Sequence, residues 1–180
     1  MSLSIPKRIH FSTFDAMIKE FHPIITDPWN FFRALSARAP HSFYFDNWGD
    51  AGITYFGIAP DTIIQGRANE TPEKVYERIN SLLTPSGTVN TFPFESGVVG
   101  LMGYNLCAEF EEYPKKKEYD TQTPDFHFGV YSTIYIFEHE TGRFYISTKK
   151  DEIHEPKIEK KDINDAWSAE NFSQVAGKQE

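Results

Sequence analysis

Apolar residues recur along this chain at two spacings, one typical of amphipathic helices and the other typical of β-strands. The first helical pattern covers residues 11–21. Its apolar positions fall on one face of a helix: Phe14, Met17, Ile18 and Phe21. The sequence therefore predicts a short amphipathic helix near the start of the chain.

Two later segments combine helical spacing with a helix-start signal. In residues 26–38, Asp27 carries a side chain that caps helices well, and Pro28 suits the first helical position. The face expected to be buried consists of Trp29, Phe32 and Leu35. Residues 71–83 repeat this start, and their expected buried stripe is Val75, Ile79, Leu82 and Leu83. We expect a helix in each segment.

Strand patterns lie between and after these helices. Residues 42–46 and 53–58 predict two strands around a turn rich in Asp, Asn and Gly. Residues 128–148 predict a β-hairpin, because β-branched and aromatic residues flank a loop that contains Gly142. The chain then becomes charged and poor in large apolar residues, so residues 149–180 are expected to form a linker or a solvated arm.

Charge and cysteine content narrow the class of protein. The 180 residues carry a formal net charge of −8, which argues against a nucleic-acid partner and against an anionic membrane surface. The first residues contain no long apolar stretch, so neither a secretion signal nor a membrane span is expected. The single cysteine, Cys107, excludes an internal disulfide and fits a reducing compartment. We expect a soluble cytoplasmic domain.

The segment FESGVVGLMGY, residues 94–104, places Gly97, Gly100 and Gly103 three apart in an apolar run. A phosphate-binding loop would have Lys-Ser/Thr after its last glycine, or the Gly-x-Gly-x-x-Gly pattern of a dinucleotide-binding unit. The segment has neither pattern. We therefore interpret these glycines, together with Tyr104, as a structural motif that lets another backbone or an aromatic ring approach a strand closely.

Other groupings of reactive residues give weak signals. The six histidines are not spaced as a pair on one helix face, so no metal site is expected. His139, beside Glu140, is expected to be solvated in a hairpin loop, and Cys107 to be a buried, unreactive thiol. A cluster of three glutamates is expected to form a solvated face: Glu109, Glu111 and Glu112. The sequence predicts no catalytic residue.

Several segments resemble one enzyme family. FESGVVGLMGYNLCAEFE is similar to the signature F-x-G-G-x-V-G-Y-L-G-Y-[DE]-L-x-R-x-F-E of the component I chains of aminodeoxychorismate synthase and anthranilate synthase. PHSFYFDNWGD resembles the strand and turn written F-L-L-[DE]-S, and ITYFGIAPDTII resembles Y-S-F-I-G-x-x-P. TPDFHFGVYSTIYIFEHETGRFYI resembles P-D-x-x-F-x-x-Y-D-x-x-x-V-F-D-H. Together these segments cover about residues 26–148, in the family's order.

The resemblance implies the N-terminal domain of such a chain, an α+β unit with a mostly antiparallel sheet and several packed helices. In this family, chorismate, the Mg²⁺ ligands and the catalytic residues belong to the C-terminal half, so no cofactor is expected in this chain. The resemblance implies residues 1–148 as the N-terminal domain and residues 149–180 as an arm leading to a chorismate-binding domain that the chain lacks. A glutamine amidotransferase subunit is a further implied partner.

The same family builds a tryptophan pocket partly from this domain. Matched by position, the pocket would fall on Asp46, Asn47, Ile53 and Thr54. Asn47 stands where the family has serine, and Gly52 or Ile53 stands where a basic or aromatic residue is usual. Because a cleft that buries its ligand needs both walls, we do not expect this chain alone to bind tryptophan.

Two classes of function stay open. The first is a non-catalytic domain or subunit that completes a chorismate-using synthase, in p-aminobenzoate and folate synthesis rather than tryptophan synthesis. The second is a free-standing module that binds a small ligand or regulates, with the same fold. A domain that packs on a partner should expose an apolar patch, which the isolated chain would cover by self-association or with residues 149–180.

Overall fold

Two antiparallel sheets and two helices make up the part of the chain that the structure describes. The structure is a computed structural model, and it describes residues 16–37, 39–47, 52–66, 72–83, 90–103 and 124–158. In chain order the elements are β1 (Met17–Phe21), α1 (Pro28–Ser36), β2 (Phe43–Phe45), β3 (Ile53–Gly57), β4 (Thr62–Gly66), α2 (Pro72–Leu82), β5 (Gly97–Met102), β6 (Phe126–Tyr131), β7 (Thr133–Glu138) and β8 (Arg143–Thr148).

The strands divide into a five-stranded sheet, in the order β1-β8-β7-β3-β2, and a three-stranded sheet, in the order β4-β6-β5. Every pair of neighbouring strands is antiparallel. The expected α+β class with mostly antiparallel sheet is therefore confirmed. The described residues contain two helices rather than several.

The helix predicted over residues 11–21 is wrong from Met17 onward, where the chain forms β1. The strand pairs with β8 from Met17 opposite Thr148 to Phe21 opposite Phe144. Phe21 is 4% exposed, and its ring lies 5.8 Å from that of Phe144. The edge of the sheet thus offers backbone hydrogen bonds and a buried aromatic site, which override a weak helical pattern. Residues 11–15 lie outside the described part.

Helix α1 begins where its cap and proline predict. The Asn30 N–H donates to Asp27 Oδ1 over 2.8 Å, and Pro28 takes the first helical position. The expected buried face is wrong in detail. The residues at its centre are Phe31 and Ala34, at 1% and 7% exposure, whereas Trp29 is 44% exposed.

Phe31 explains how α1 sits on the five-stranded sheet. Its ring centroid lies 5.4 to 6.0 Å from those of three aromatic residues on the sheet: Phe56, Tyr135 and Phe144. Phe32 and Leu35 are only half-buried beside this cluster. Trp29 lies about one helical turn before Phe32 on this half-buried side of the helix, and it is therefore at the border of the sheet.

The strands predicted over 42–46 and 53–58 form, as β2 and β3, and Phe43 pairs opposite Gly57. The helix predicted over 71–83 forms as α2. Its Val75 is fully buried against the three-stranded sheet, where the cluster is completed by Ile64, Phe126 and Val130. Ile79 and Leu82 pack against this cluster, as expected, but Leu83 is 39% exposed.

The hairpin predicted over 128–148 is confirmed only for its second part, β7 and β8. Gly142 adopts a φ of +67° in the turn, and its N–H donates to the Glu138 carbonyl over 2.8 Å. Residues 128–131 instead belong to β6, in the other sheet. A single residue, Ser132, separates β6 from β7, so one continuous apolar run contributes to two sheets.

The segment before β5 covers the face of the five-stranded sheet opposite α1. Phe92 and Phe94 lie with their ring centroids 5.0 Å from Tyr145 and 5.9 Å from Tyr55. Glu95 holds the segment in place, since its Oε1 accepts from the Phe92 N–H over 2.8 Å. The five-stranded sheet is therefore packed on both faces.

Two glycines of the motif lie where the backbone of another segment approaches closely. A Cβ at Gly100 would overlap the His127 carbonyl oxygen and lie 2.6 Å from the Phe128 Cα. A Cβ at Gly103 would lie 2.9 Å from the Asp125 carbonyl oxygen. Gly97 adopts a φ of +151°, which side chains rarely tolerate. Tyr104 lies outside the described part.

Asp61 forms polar contacts at the point where the chain crosses from β6 in one sheet to β7 in the other. Its Oδ2 accepts from the Ser132 N–H over 2.8 Å, and its Oδ1 lies 3.0 Å from Lys150 Nζ. Burial raises the pKa of this carboxyl, but hydrogen bonding from Ser132 and the Lys150 charge outweigh the burial and hold the pKa below its ordinary value. The ionised form is thus the form that the fold stabilises.

Residues 149–158 leave β8 without forming a helix or strand. Ile153 and Ile158 pack against the core under α1, and Lys19 Nζ lies 2.7 Å from Glu155 Oε1. The first part of the arm predicted over 149–180 therefore contacts the sheet domain. The rest of that arm lies outside the described residues.

Replacing Gly100 with alanine should destabilise the fold by about 2–3 kcal/mol, because backbone on β6 must move to admit the methyl group. The matched control is Gly142→Ala, where nothing lies within 4 Å of the added Cβ. The control should cost about 1 kcal/mol, for the positive φ alone. Urea unfolding measures both. A cost for Gly100→Ala no greater than that of the control would contradict the close-packing role.

Replacing Asp61 with asparagine should lower the free energy of unfolding by about 2 kcal/mol at neutral pH, through loss of charged hydrogen bonds. Because the folded-state pKa is depressed, this stabilisation is present above the unfolded pKa and is lost as pH falls through the folded pKa. The difference between the two proteins should therefore begin to shrink below about pH 4, near the unfolded pKa, and should vanish only below the folded-state pKa. Asp151→Asn, an exposed control, should show no such dependence. A difference that does not depend on pH would refute the assignment.

Candidate functional site

A cleft of about 650 Å³ opens where the N-terminus of α1 meets the β2 side of the five-stranded sheet. Its lining includes two carboxylates, one imidazole and three aromatic rings: Asp27, Asp46, His139, Trp29, Tyr44 and Phe137. The volume is in the range of sites that take small molecules. The cleft therefore combines a size suited to ligands with groups that can orient one.

A buried hydroxyl joins two of the polar side chains. Thr54, which is fully buried, donates from Oγ1 to Asp46 Oδ1 over 2.6 Å. The same Oγ1 lies 2.8 Å from His139 Nε2. Since the single hydroxyl hydrogen goes to the carboxylate, Nε2 must carry a hydrogen and donate to Oγ1.

Strand alternation explains which predicted residues meet in the cleft. Successive side chains on β3 point to opposite faces of the sheet. Thr54 lies on the α1 face with Asp46, whereas Ile53 packs with the cluster on the opposite face. Asn47 is exposed and does not line the cleft. The four residues matched to the tryptophan pocket therefore do not form one site on this face, and their ligand role stays a prediction.

His139 is the site residue that the sequence reasoning misplaced. It was expected in solvent, but its side chain is only 26% exposed and its ring packs edge-on against Phe137, with centroids 4.9 Å apart. Its Nε2 also lies 3.5 Å from Asp46 Oδ1. A usable signal was present, because His139 follows Phe137 by two positions and strand periodicity continues the same face into the turn.

The aromatic side of the cleft is formed by rings that contact each other. Trp29 and Tyr44 meet edge to face with centroids 5.1 Å apart. Burial raises the pKa of Tyr44 to about 12, and the nearby charges of Asp46 and Asp27 act in the same direction. The phenol therefore stays protonated and neutral across the physiological pH range.

Two kinds of feature are absent from the described residues. No group of three or more His, Cys, Asp or Glu side chains among those residues could hold a metal ion. No helix in the described ranges is long and apolar enough to cross a membrane. Cys107 and the glutamate cluster, Glu109, Glu111 and Glu112, lie outside the described part.

Comparison with known proteins gives partial matches. No protein-family model matches the chain. The chain is 28% identical over 123 residues to anthranilate synthase component 1 3 of Haloarcula marismortui, covering 63% of this chain and 24% of that protein. It is 21% identical over 167 residues to anthranilate synthase component 1 of Bacillus caldotenax. That match covers 79% of this chain and 32% of the Bacillus protein. It is 40% identical over 48 residues to aminodeoxychorismate synthase component 1 of Escherichia coli. That match covers 27% of this chain and 11% of the Escherichia coli protein.

Among solved structures, anthranilate synthase component I from Streptococcus pneumoniae aligns with a TM-score of 0.45 and 18% identity, over 79% of this chain and 33% of that chain. The chain spans less than a third of the length of each of these curated relatives. The sequence matches confirm the resemblance to component I chains. Two such chains are represented, anthranilate synthase component I and aminodeoxychorismate synthase component I.

Replacing Thr54 with valine should destabilise the fold by about 2 kcal/mol, because Asp46 and His139 lose their shared partner while the side-chain volume is kept. Thr54→Ser is the control, since it retains the hydroxyl and loses one methyl group, at about 1 kcal/mol. Thermal or urea unfolding measures both variants. Equal stability of the valine and serine variants would show that the hydroxyl does not link the two side chains.

Proposed function

We propose that this chain is a non-catalytic scaffold, the N-terminal domain of a component I-like chorismate-using synthase that works with a chorismate-binding partner domain or chain. The observation that carries the proposal is the sequence similarity to component I chains over 123 and 167 residues. In both cases the match covers about a third or less of the relative. A domain that corresponds to so small a share of its relatives would depend on other parts for the reaction.

The face of the five-stranded sheet opposite α1 supports a packing role. Phe45, on the edge strand β2, is 52% exposed, and its ring lies 5.0 Å from that of Phe43. Phe43 is buried and lies 6.2 Å from Phe94 in the core. The exposed ring is thus continuous with the core rather than isolated. Large aromatic residues at the border of a core are typical anchors for a partner surface.

The partner, in this proposal, supplies the chemistry. We assign Mg²⁺ and chorismate to the partner, and the supply of ammonia to a glutamine amidotransferase subunit, because the resemblance to component I chains implies this division of roles. The proposal takes the p-aminobenzoate and folate route, which the 40% identity over 48 residues to an aminodeoxychorismate synthase component supports. The longer matches, over 123 and 167 residues, are to anthranilate synthase components, so tryptophan synthesis is the second candidate.

Co-expression tests the scaffold role. The purified chain alone should not convert chorismate with ammonia and Mg²⁺. Co-expressed with the chorismate-binding chain of the same genome, it should co-purify with that chain and form aminodeoxychorismate. Phe45→Ser should weaken the complex about tenfold or more, through loss of a buried aromatic anchor.

Tyr76→Ser is the matched control, because Tyr76 is a 63% exposed aromatic residue on α2, beside the other sheet. It should leave the complex intact. Turnover by the chain alone that survives repurification would overturn the non-catalytic role. Failure of the two chains to associate would overturn the scaffold role. Equal effects of the two variants would show that Phe45 does not lie in the interface.

A further inference from the structure

We propose that His41 and His127 form a binding site for a divalent transition-metal ion such as Zn²⁺. His41 comes just before β2, at one edge of the five-stranded sheet, and His127 lies on β6, the central strand of the other sheet. The two residues are far apart in the sequence, so their spacing along the chain gave no sign of the pair. Metal binding at this position goes beyond the scaffold role and does not depend on it.

The two imidazole rings are about as far apart as two rings that share one ion. Their centroids lie 4.9 Å apart, with 26° between the ring planes. A ligating imidazole nitrogen lies about 2.0–2.1 Å from Zn²⁺, so two rings in tetrahedral coordination have centroids about 5 Å apart. His41 is exposed, and its ring can rotate about the side-chain bonds to point a nitrogen at the ion. Binding therefore requires no large change in the separation of the two rings.

A neighbouring strand orients the ring of His127. Gln65 lies opposite His127 in the β4–β6 pairing, and its Oε1 lies 3.0 Å from His127 Nδ1. Because an amide oxygen can only accept, Nδ1 carries the hydrogen of this bond. When the ring is neutral, Nε2 then holds the lone pair that an ion needs. Histidines that bind metals usually donate their other ring N–H to an oxygen in this way.

The backbone holds His41 beside this ring. His41 adopts a φ of +59°, a left-handed conformation that is costly for a residue with a side chain. The hydroxyl of Tyr131, a buried residue at the end of β6, donates to the His41 carbonyl over 2.5 Å. Strand β6 therefore carries one histidine of the pair and fixes the backbone of the other.

The chemistry of the pair selects the class of ion. Imidazole nitrogen suits Zn²⁺, Ni²⁺ and Cu²⁺, whereas Mg²⁺ prefers oxygen ligands. Two side chains leave the other coordination positions to water, so binding is weaker than at a site with three or four protein ligands. The pair is thus consistent with the finding that the described residues contain no group of three or more metal-binding side chains.

Titration of ZnCl₂ into the full chain tests the site, with MgCl₂ as the control ion. Zn²⁺ should shift the imidazole NMR signals of His41 and His127 together, and Mg²⁺ should leave them unchanged. Zn²⁺ should also raise the melting temperature, because an ion that binds the folded chain stabilises it. Binding should weaken as the pH is lowered from about 7.5 to about 5.5, since a protonated imidazole has no lone pair for the ion.

Each histidine is then removed separately. His41→Asn introduces a residue that tolerates a positive φ, and His127→Gln keeps a polar side chain on β6. Each variant should weaken Zn²⁺ binding at least about tenfold and remove the rise in melting temperature. His22→Gln is the matched control, because His22 is an exposed histidine near Glu20 and outside the pair. It should change neither measurement.

The two separate variants keep the test decisive even if one of them does not fold. Three outcomes would each overturn the proposal. The first is no shift of the His41 and His127 signals at up to about millimolar Zn²⁺. The second is equal Zn²⁺ affinity of the control and of a folded variant of the pair. The third is shifts confined to other histidines, such as His22 and His154, which each lie near a glutamate.

Discussion

At the β6–β7 crossing a single residue, Ser132, joins the two sheets, and the Asp61 carboxylate accepts its N–H. The Asp61 N–H also donates to the Val130 carbonyl over 2.8 Å, and the Lys149 N–H donates to the Ser132 carbonyl over 2.9 Å. The junction therefore ties the turn before β4 and the end of β8 to the crossing point. Since only one residue separates β6 from β7, the two strands have little freedom to rotate relative to each other. The position of each sheet therefore constrains the position of the other.

The cleft depends on a second constraint, the seating of α1 on the five-stranded sheet. Phe31 fixes the helix over the aromatic cluster at the centre of the sheet, so the first turn of the helix projects toward β2. Asp27, as the helix cap, has one oxygen committed to the Asn30 N–H. The same residue thus begins the helix and places a charge at the cleft. The site is a consequence of how the helix starts and of which aromatic residue anchors it.

Local sequence signals predicted the elements whose start or period is encoded nearby. Asp27 and Pro28 gave the start of α1, and Gly142 gave the turn of the β7–β8 hairpin. The failures are those in which a distant partner decides. Met17–Phe21 has a helical pattern but pairs with β8, more than a hundred residues away in the chain. Phe31 displaced Trp29 from the buried face because the aromatic cluster beneath it comes from three distant strands.

The sequence identified only some of the residues at the cleft, because here too distant parts of the chain come together. Alignment to a family motif selected Asp46 and Thr54, which do meet, but it also selected Ile53, which strand geometry sends to the opposite face. His139 lies 85 positions from Thr54 and was reached only through the β3–β7 pairing. Adjacent positions on β3 thus serve two surfaces. Thr54 lies on the cleft side of the sheet, hydrogen-bonded to Asp46, and Ile53 lies on the opposite face, where it packs with the cluster that contains Phe43.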